Sequence, residues 1–240
     1  MSIPKGSIKE IVFSSKELGE DVELLVYLPA NFSPLYKYSL LLAQDGRDYI
    51  QLGRICRLAD AYIYEKKIEN LIFVGIPYKD VQDRRKKYHP NGGQNEAYIR
   101  FLAHELVPYL DQQFPTYQMG STRSLLGSSL GASVSLMTAL KYPHTFGKVL
   151  LQSPFVNDSV LEAVKNFSDE ELLQIYHVVG LGETEVQMTD GKRSNFLEPN
   201  RELSKIFSSK PFSYFYEEGN GNHSWRFWQT DLKRALKRMF

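Results

Sequence analysis

The feature that most constrains the fold is the segment Gly127-Ser128-Ser129-Leu130-Gly131, which lies between an apolar run and a helical pattern. The apolar run predicts a strand over 122–128, and the residues after the segment predict a helix over 130–141. A strand that passes directly into a helix makes a sharp turn, and the two flanking glycines permit it. The turn would expose Ser129 at a helix N-terminus, where backbone N–H groups stabilise a developing negative charge.

Strand and helix patterns alternate along the rest of the chain. Apolar runs predict buried strands, and apolar residues at intervals of three or four predict helices. We expect Pro108 to kink or shorten its helix, and the first two strands, joined near Gly19, to form an antiparallel pair at the sheet edge. The predicted strands cover 8–14, 22–28, 39–43, 71–76, 148–153, 175–180 and 212–217, and the predicted helices cover 49–66, 95–113, 159–173, 200–208 and 224–240.

This alternation predicts an α/β fold with a mostly parallel central sheet, antiparallel N-terminal edge strands, and helices on both faces. No linker or internal repeat divides the chain, so we expect one domain over residues 1–240. In such sheets, functional groups gather at the carboxyl ends of the strands. Asp45-Gly46-Arg47, Ser129 and the loops after Gly180 and Glu217 would meet there.

Composition narrows the range of partners. The 29 Lys and Arg residues balance 28 Asp and Glu residues, so no overall field favours nucleic acid or an anionic membrane. The single cysteine, Cys56, excludes an internal disulfide framework and is typical of a reducing compartment. The N-terminus has no basic and apolar leader, and no apolar run is long enough to span a membrane. We therefore expect a soluble, cytoplasmic protein with neither nucleic acid nor membrane as a partner.

A serine hydroxyl needs a base to become a good nucleophile, and five histidines could serve. His104 lies in a predicted helix and His177 in a predicted strand, so both are expected to be packing residues. His89 and His144 lie in loops beside prolines and have no obvious partner. His223 follows the last predicted strand in a glycine-rich loop that could bring its imidazole over the sheet. The sequence therefore favours His223 as the general base.

The base in turn needs a carboxylate that holds its tautomer. In α/β-hydrolases the chain order is serine, acid, histidine, so the acid should follow a strand between Ser129 and His223. Glu183, just after the strand that ends at Gly180, is the first choice, with Glu185 second and Asp190 third. The alternative is that these acids form only a solvated loop.

An oxyanion hole needs two N–H donors, one from the residue after the nucleophile and one from an early loop. Leu130 would supply the first donor. The backbone of Arg47, at the end of the first central strand, would supply the second. The alternative interpretation of Asp45-Gly46 is a simple turn.

Other chemistries find little support in the sequence. His104-Glu105 would need a second histidine at Pro108 to match a zinc-protease motif, and no glycine-rich phosphate loop is present. We therefore expect no metal and no cofactor. Cys56 falls in a helical pattern and is expected to be inert, and Trp225 and Trp228 are expected to pack the last helix.

Four motifs in order resemble an esterase family of α/β-hydrolases that includes enterochelin esterases, feruloyl esterases and mycolyl transferases. The likeness runs from about residue 20 to the C-terminus and implies Ser129 as nucleophile, His223 as base and a carboxylate near Glu183. The resemblance is to the catalytic domain of enterochelin esterases only, so we expect no counterpart of their separate N-terminal domain within residues 1–240. The motifs are Gly-Ser-Ser-Leu-Gly at 127–131, Gln-Asp-Gly at 44–46, Glu-Leu-Val-Pro-Tyr-Leu at 105–110 and Asn-Gly-Asn-His-Ser-Trp-Arg-Phe-Trp at 220–228.

The chain departs from the family pattern in two places. Family members often carry Arg-x-x-Glu-Tyr after the second central strand, where this chain has Lys87 between Arg84 and Tyr88. The usual glycine before the histidine is Asn222. The resemblance makes Arg84 and Tyr88 candidate substrate contacts. The basic run 84–87 is otherwise a solvated loop; if it lines the cleft, it would favour an anionic acyl or siderophore-like ligand.

Together these features predict a serine hydrolase that cleaves a small-molecule carboxylic ester through an acyl-enzyme on a Ser-His-Glu triad. The ester could be a short acyl, aryl or siderophore-type ester. One alternative is an acyltransferase that uses the same triad. The other is a non-catalytic binding protein, which would require that no carboxylate reach His223 or that the 184–199 loop fill the cleft. The choice between Glu183 and Glu185 and the oligomeric state stay open.

Overall fold

The computed structural model describes residues 3–189 and 191–240, and its centre is an eight-stranded sheet within those residues. The order across this sheet is β1-β2-β4-β3-β5-β6-β7-β10, and β8 and β9 form a separate hairpin. The strands are β1 (Ser7–Ser15), β2 (Glu20–Leu28), β3 (Ser39–Gln44), β4 (Leu71–Ile76), β5 (Arg123–Ser128), β6 (Lys148–Gln152), β7 (Gln174–Gly180), β8 (Val186–Gln187), β9 (Arg193–Ser194) and β10 (Ser213–Gly219).

The helices lie between the strands, mostly one or two to a connection. Single turns of 3₁₀-helix cover Gly120–Thr122 and Glu170–Leu172, and a π-helical turn covers Phe101–Leu106. The α-helices are α1 (Gly46–Gln51), α2 (Ile55–Tyr64), α3 (Val81–Tyr88), α4 (Asn95–Arg100), α5 (Val107–Gln113), α6 (Leu130–Lys141), α7 (Asp158–Lys165), α8 (Leu197–Ser208) and α9 (Trp225–Met239).

The pairing of the strands confirms the predicted sheet. β1 pairs antiparallel with β2 at one edge, and β2 pairs antiparallel with β4. From β4 through β3, β5, β6 and β7 to β10, every neighbouring pair is parallel. The parallel strands therefore all end at one edge of the sheet, where the groups that follow them are brought together.

Alternating side chains of the central strands fill two hydrophobic cores, one on each face of the sheet. In β3, Leu40 and Leu42 belong to the core that α4 to α8 cover, whereas Leu41 and Ala43 belong to the core beneath α1, α2 and α9. All four are at most 1% exposed. Burying one leucine side chain contributes about 1.5–3 kcal/mol, so both helical layers are held on the sheet. Helices on both faces are confirmed.

Three predicted helices differ from those observed. The helix expected over 49–66 is interrupted, because the N–H groups of Leu52 and Gly53 both bond to the Asp48 carbonyl and Arg54 turns left-handed at φ 53°. The helix expected over 159–173 ends at Lys165. The region 95–113 is helical throughout, but it is not one regular α-helix. A π-helical turn stands just before Pro108, because proline has no N–H to donate and its ring needs room.

The solvated loop expected for the basic run 84–87 is wrong. These residues belong to α3, whose N-terminus is capped by the Asp80 carboxylate through bonds of 2.8 Å from the N–H groups of Gln82 and Asp83. Lys87 is buried in this helix.

The closing helix expected over 224–240 is observed as α9. Among the residues that the structure describes, no helix has both the length and the apolar character needed to cross a lipid bilayer.

Candidate active site

Ser129 occupies the sharp turn between β5 and α6, with φ 54° and ψ −126°. A left-handed φ at a non-glycine residue costs on the order of 1–3 kcal/mol and is typical of functional turns. The two glycines are required by packing as well as by the turn. A Cβ on Gly127 would lie 2.2 Å from the carbonyl carbon of Gly131, and a Cβ on Gly131 would lie 3.0 Å from the Asp45 carboxylate.

The turn is held by the strand and helix around it. The Ser129 N–H donates to the Gln152 carbonyl at 3.0 Å, and the Ser129 carbonyl accepts from the N–H groups of Ala132, Ser133 and Phe155. These bonds fix the backbone on both sides of the serine. The strained conformation therefore persists and presents the hydroxyl at the carboxyl end of β5.

His223 lies in the loop between β10 and α9, and its Nδ1 is 2.7 Å from Oε2 of Glu183. The imidazole packs between two aromatic rings, with centroid distances of 4.4 Å to Phe196 and 4.9 Å to Trp228. Only 15% of its side chain is exposed. Since Nδ1 faces a carboxylate, the ring is held with Nε2 as the nitrogen that remains for proton transfer.

His177 and His104 have structural surroundings. His177 is buried between the Tyr214 hydroxyl, at 2.9 Å, and the Asn200 amide oxygen, at 2.7 Å. Burial lowers the pKa of His177 to about 4, so this imidazole is neutral near pH 7. His104 contacts the hydroxyl of Tyr142 on the outer surface. These positions agree with the packing roles expected from the sequence.

Glu183 is completely buried, and both of its carboxylate oxygens have partners. Oε1 accepts hydrogen bonds from the Ser153 hydroxyl at 2.6 Å and from the Gly180 N–H at 2.8 Å, while Oε2 faces His223. Gly180 cannot carry a side chain, because a Cβ would lie 2.8 Å from Oε1 of Glu183 and 2.5 Å from the Gly221 carbonyl oxygen. Both oxygens of the carboxyl group therefore have partners within the protein.

The alternative acids lie elsewhere. Glu185 is exposed, and its carboxylate pairs with Arg193 at 2.7 Å. Asp190 lies outside the described residues. Of the acids weighed from the sequence, the structure therefore brings Glu183, and not Glu185, to His223.

Ser153 is a member of the site that the sequence did not indicate. It follows β6 with a left-handed φ of 48° and is fully buried. Its hydroxyl accepts from the indole Nε1–H of Trp228 at 2.9 Å and donates to Glu183. A chain of hydrogen bonds therefore runs from Trp228 through Ser153 to the carboxylate beside His223. The available signal was a polar residue directly after a buried parallel strand, at the edge where Ser129 also lies.

Ser129 and His223 line the same cavity, which has a volume of about 240 Å³. Part of its wall comes from β8 and the turn after it, and another part comes from the two indoles of α9. A larger cleft of about 560 Å³ lies behind the loop 219–224 and is lined by neither Ser129 nor His223. The residues that line the smaller cavity are Asp45, Asp48, Tyr78, Val81, Arg84, Arg85, Ser128, Ser129, Leu130, Val186, Gln187, Met188, Thr189, His223, Trp225 and Trp228.

The two expected oxyanion donors differ in their surroundings. Leu130 follows Ser129 at the start of α6 and lines the cavity. Arg47 lies at the N-terminus of α1. Its guanidinium extends to the surface, where it pairs with Glu23 at 2.6 and 2.8 Å. Its side chain therefore leaves the cavity, and the role expected of its backbone N–H stays a prediction.

Two of the four basic residues of the run 84–87 are paired with acids within the fold. Arg84 lines the cavity, but its guanidinium forms a bidentate pair with Asp45, both bonds being 2.7 Å. Lys87 pairs with Glu20 and Asp83. An arginine locked in a bidentate pair has little capacity left for an anionic ligand. Arg85 also lines the cavity, and its side chain is exposed.

Tyr88 does not have the position expected of a substrate contact. It is 1% exposed and is absent from the cavity wall. Its hydroxyl instead accepts from the Asp45 N–H at 3.3 Å, and its ring lies 5.4 Å from the Arg84 guanidinium. Burial removes Tyr88 from contact with substrate, and its side chain supports the Arg84–Asp45 pair.

The described residues contain no cluster of three or more histidine, cysteine, aspartate or glutamate side chains that could hold a metal ion. Cys56 packs against the core beneath α2, and burial raises the pKa of its thiol to about 12. A thiol with so high a pKa is a poor nucleophile.

A family model described as "Putative esterase" matches residues 15–239. Among curated proteins, Uncharacterized protein YjcH of Bacillus subtilis (strain 168) is 51% identical over 239 residues and is aligned over 100% of both chains. An acetyl esterase of Caldicellulosiruptor saccharolyticus is 20% identical, with 97% of this chain and 98% of that protein covered.

Two solved structures have the same fold. An enterobactin esterase from Shigella flexneri superposes with a TM-score of 0.83 at 20% identity, covering 98% of this chain and 60% of that chain. A ferulic acid esterase superposes with a TM-score of 0.81 at 16% identity, covering 98% of this chain and 99% of that chain. Both are esterases, and the α/β-hydrolase fold expected from the sequence is confirmed.

Proposed function

This chain belongs to the esterase family whose model matches residues 15–239, and on that premise we propose that it cleaves carboxylic esters with Ser129, His223 and Glu183. We include in the proposal that residues 1–240 act as one catalytic domain. The observation that carries it is the 2.7 Å contact between Nδ1 of His223 and the buried Glu183 carboxylate, at the mouth of the cavity that Ser129 also lines.

The first half of the reaction forms an acyl-enzyme. Oγ of Ser129 attacks the ester carbonyl carbon while Nε2 of His223 takes the hydroxyl proton. Glu183 stabilises the imidazolium that results and keeps its Nδ1–H directed inward. The carbonyl oxygen becomes an oxyanion, for which we propose the N–H groups of Leu130 and Arg47 as donors. The C–O bond to the alcohol then breaks, and His223 returns the proton to the departing alcohol.

The second half restores the enzyme. A water molecule loses a proton to Nε2 of His223 and attacks the acyl carbon, and the same N–H groups hold the second oxyanion. Ser129 then leaves with the proton from His223, and the carboxylic acid is released. An alcohol or amine in place of water would give the acyltransferase reaction on the same residues.

The cavity favours a small acyl group without negative charge. Its volume of about 240 Å³ lies below the range of about 300–1,000 Å³ typical of sites for drug-sized ligands. Its wall carries two aspartates, Asp45 and Asp48, against two arginines, Arg84 and Arg85, so it offers little net attraction to an anionic acyl group. We therefore propose a short acyl ester as substrate, in line with the name of the related acetyl esterase.

The non-catalytic alternative would hold if either of two arrangements were present. One is a histidine that no carboxylate reaches, whereas His223 lies against Glu183. The other is a cleft filled by the 184–199 segment, whereas the described residues of that segment that contact the cavity, 186–189, line its wall. Both observations support the catalytic proposal.

Ester turnover and active-site labelling test the proposed function together. We expect hydrolysis of p-nitrophenyl acetate and butyrate, with kcat/KM falling as the acyl chain exceeds the cavity. A fluorophosphonate probe should label Ser129 and stop turnover, with the modified peptide identified by mass spectrometry. Absence of both labelling and turnover would contradict the proposal. Product analysis with added alcohols and amines would reveal acyl transfer.

The hydrogen-bond chain behind Glu183 gives a second prediction. We expect Ser153→Ala to lower kcat by about 10-fold with little change in KM, since a net hydrogen bond to a charged group is worth about 1.5–3 kcal/mol. Trp228→Phe keeps a ring against His223 but loses the indole N–H, so its loss should be smaller. The double variant should be no worse than Ser153→Ala, because Trp228 acts through the Ser153 hydroxyl.

Ser124→Ala is the matched control for this series. Ser124 is a fully buried serine in β5, and its hydroxyl has no hydrogen-bond partner within the described part of the chain. Its removal should leave kcat unchanged. Additive losses in the double variant, or an equal loss in Ser124→Ala, would contradict a positioning role for Ser153.

A further inference from the structure

Asp48 is a carboxylate in the cavity wall that the proposed triad does not use. It lies in the first turn of α1, the helix that follows β3, and lines the same cavity as Ser129 and His223. The residue is half-buried, and its side chain accepts one hydrogen bond from the described residues, from the Tyr78 hydroxyl at 3.4 Å. At that length the bond is weak, so most of the acceptor capacity of this carboxylate faces the cavity.

The cations near Asp48 are engaged elsewhere. Arg47 pairs with Glu23 on the surface, and Arg84 forms its bidentate pair with Asp45. None of the ion pairs formed among the described residues by Arg47 or Arg84 includes the Asp48 carboxylate. The contrast with Asp45 is direct, because both oxygens of Asp45 are saturated by a guanidinium.

Leaving a partly buried carboxylate without a cation is unfavourable for folding. Removing such a group from water costs free energy unless hydrogen bonds replace its hydration. Burial, together with the neighbouring Asp45 charge, raises the pKa of Asp48. Titratable groups with such an environment in a cleft are often functional, and here the cleft is the one that holds the proposed nucleophile.

We propose that Asp48 determines substrate choice by accepting a hydrogen bond from a hydroxyl or ammonium group of the ester. This inference rests on the proposed function, since it assigns the substrate class of that same site. The substrate is then a small ester that carries a hydrogen-bond donor beside the ester linkage, on either its acyl or its alcohol portion. A substrate with a methyl group in that position would leave the carboxylate desolvated and unpaired, which raises the barrier.

Two sets of isosteric esters test the proposal. The acyl set is methyl 3-aminopropanoate, methyl 3-hydroxypropanoate and methyl butanoate, and the alcohol set is 3-aminopropyl, 3-hydroxypropyl and butyl acetate. Hydrolysis is followed by titration of the released acid. In at least one set, we expect kcat/KM for a donor-bearing ester to exceed that for the methyl-terminated ester by about 10- to 100-fold, the value of one hydrogen bond to a charged group.

Variants of Asp48 then assign the preference to this residue. In Asp48→Ala the ratio between donor-bearing and methyl-terminated esters should fall to about one. Asp48→Asn separates the two sources of the donor: its amide oxygen still accepts from a hydroxyl, whereas the attraction to an ammonium is lost. The ratio within each variant is the readout, since damage to folding lowers every ester alike. Thermal unfolding checks that both variants are folded.

Glu202→Gln is the matched control, because it removes one negative charge from an exposed position on α8. Its ratios should equal those of the unaltered protein. Equal rates for all three members of both sets, or a preference that survives in Asp48→Ala, would overturn the proposal while leaving the ester hydrolase proposal intact. Failure of the proposed function would instead show as no hydrolysis of any ester.

Discussion

Replacing Ser129 with alanine should abolish ester hydrolysis, with a fall in kcat of about 10⁵-fold or more, as expected when the nucleophile of a triad is lost. His223→Ala should cause a loss of the same order, and the double variant should be no worse, because nucleophile and base act as one unit. Initial rates with p-nitrophenyl acetate measure all three. A fall of less than about 100-fold in either single variant would show that another residue carries the reaction.

The strain at Ser129 supplies an internal check on this experiment. With φ at 54°, the residue occupies a region that glycine adopts at little cost. We therefore expect Ser129→Gly to be inactive yet more stable to unfolding than Ser129→Ala, by about 1 kcal/mol. Urea unfolding of both variants measures the difference. Inactivity together with retained or increased stability separates loss of chemistry from loss of fold.

Glu183→Gln should lower kcat by about 10³- to 10⁴-fold and leave KM nearly unchanged, as a neutral amide neither stabilises the imidazolium nor fixes the tautomer of His223. The side chain keeps its volume, so the buried site is not emptied. Two inward-facing donors, from Ser153 and Gly180, would lose a charged acceptor. We expect a concurrent loss of about 1–3 kcal/mol in the free energy of unfolding.

Glu185→Gln is the matched control for this prediction. Glu185 is two residues away and carries the same charge, but it is exposed and paired only with Arg193. Exposed pairs contribute about 0–1 kcal/mol, so both activity and stability should change little. If Glu185→Gln were the inactive variant and Glu183→Gln the active one, the acid would have to be reassigned. Steady-state kinetics of the two purified variants decide between them.

Some parts of the site could be predicted because their causes are local in the sequence. The turn at Ser129 requires small residues on either side, so Gly127 and Gly131 mark it directly. Glu183 and His223 each follow a strand, and the carboxyl ends of parallel strands meet at one edge. Chain order along the sheet therefore indicated that an acid after β7 could approach His223, although it left the choice between Glu183 and Glu185 open.

Other parts depend on partners far away in the chain. The residues next to Arg84 in the sequence do not indicate that it pairs with Asp45, which lies 39 residues earlier. The basic run of α3 was therefore predicted as a solvated loop. Ser153 gains its role from Trp228 and Glu183, 75 and 30 residues away. Asp48 is distinctive because the arginines close to it pair with other acids. This depends on two ion pairs, Arg47 with Glu23 and Arg84 with Asp45, whose partners are far apart in the sequence. Periodicity and motif spacing carry no such information.

The anchorage of Glu183 has a consequence for how this site could be altered. Two of its three hydrogen-bond donors come from the ends of β6 and β7, and only the third comes from the histidine loop. The position of the acid is therefore fixed mainly by the sheet and not by the histidine loop. Changes of length or composition in the 219–224 loop could reshape the entrance and alter selectivity, while the Glu183 carboxyl group keeps the partners that hold it in place.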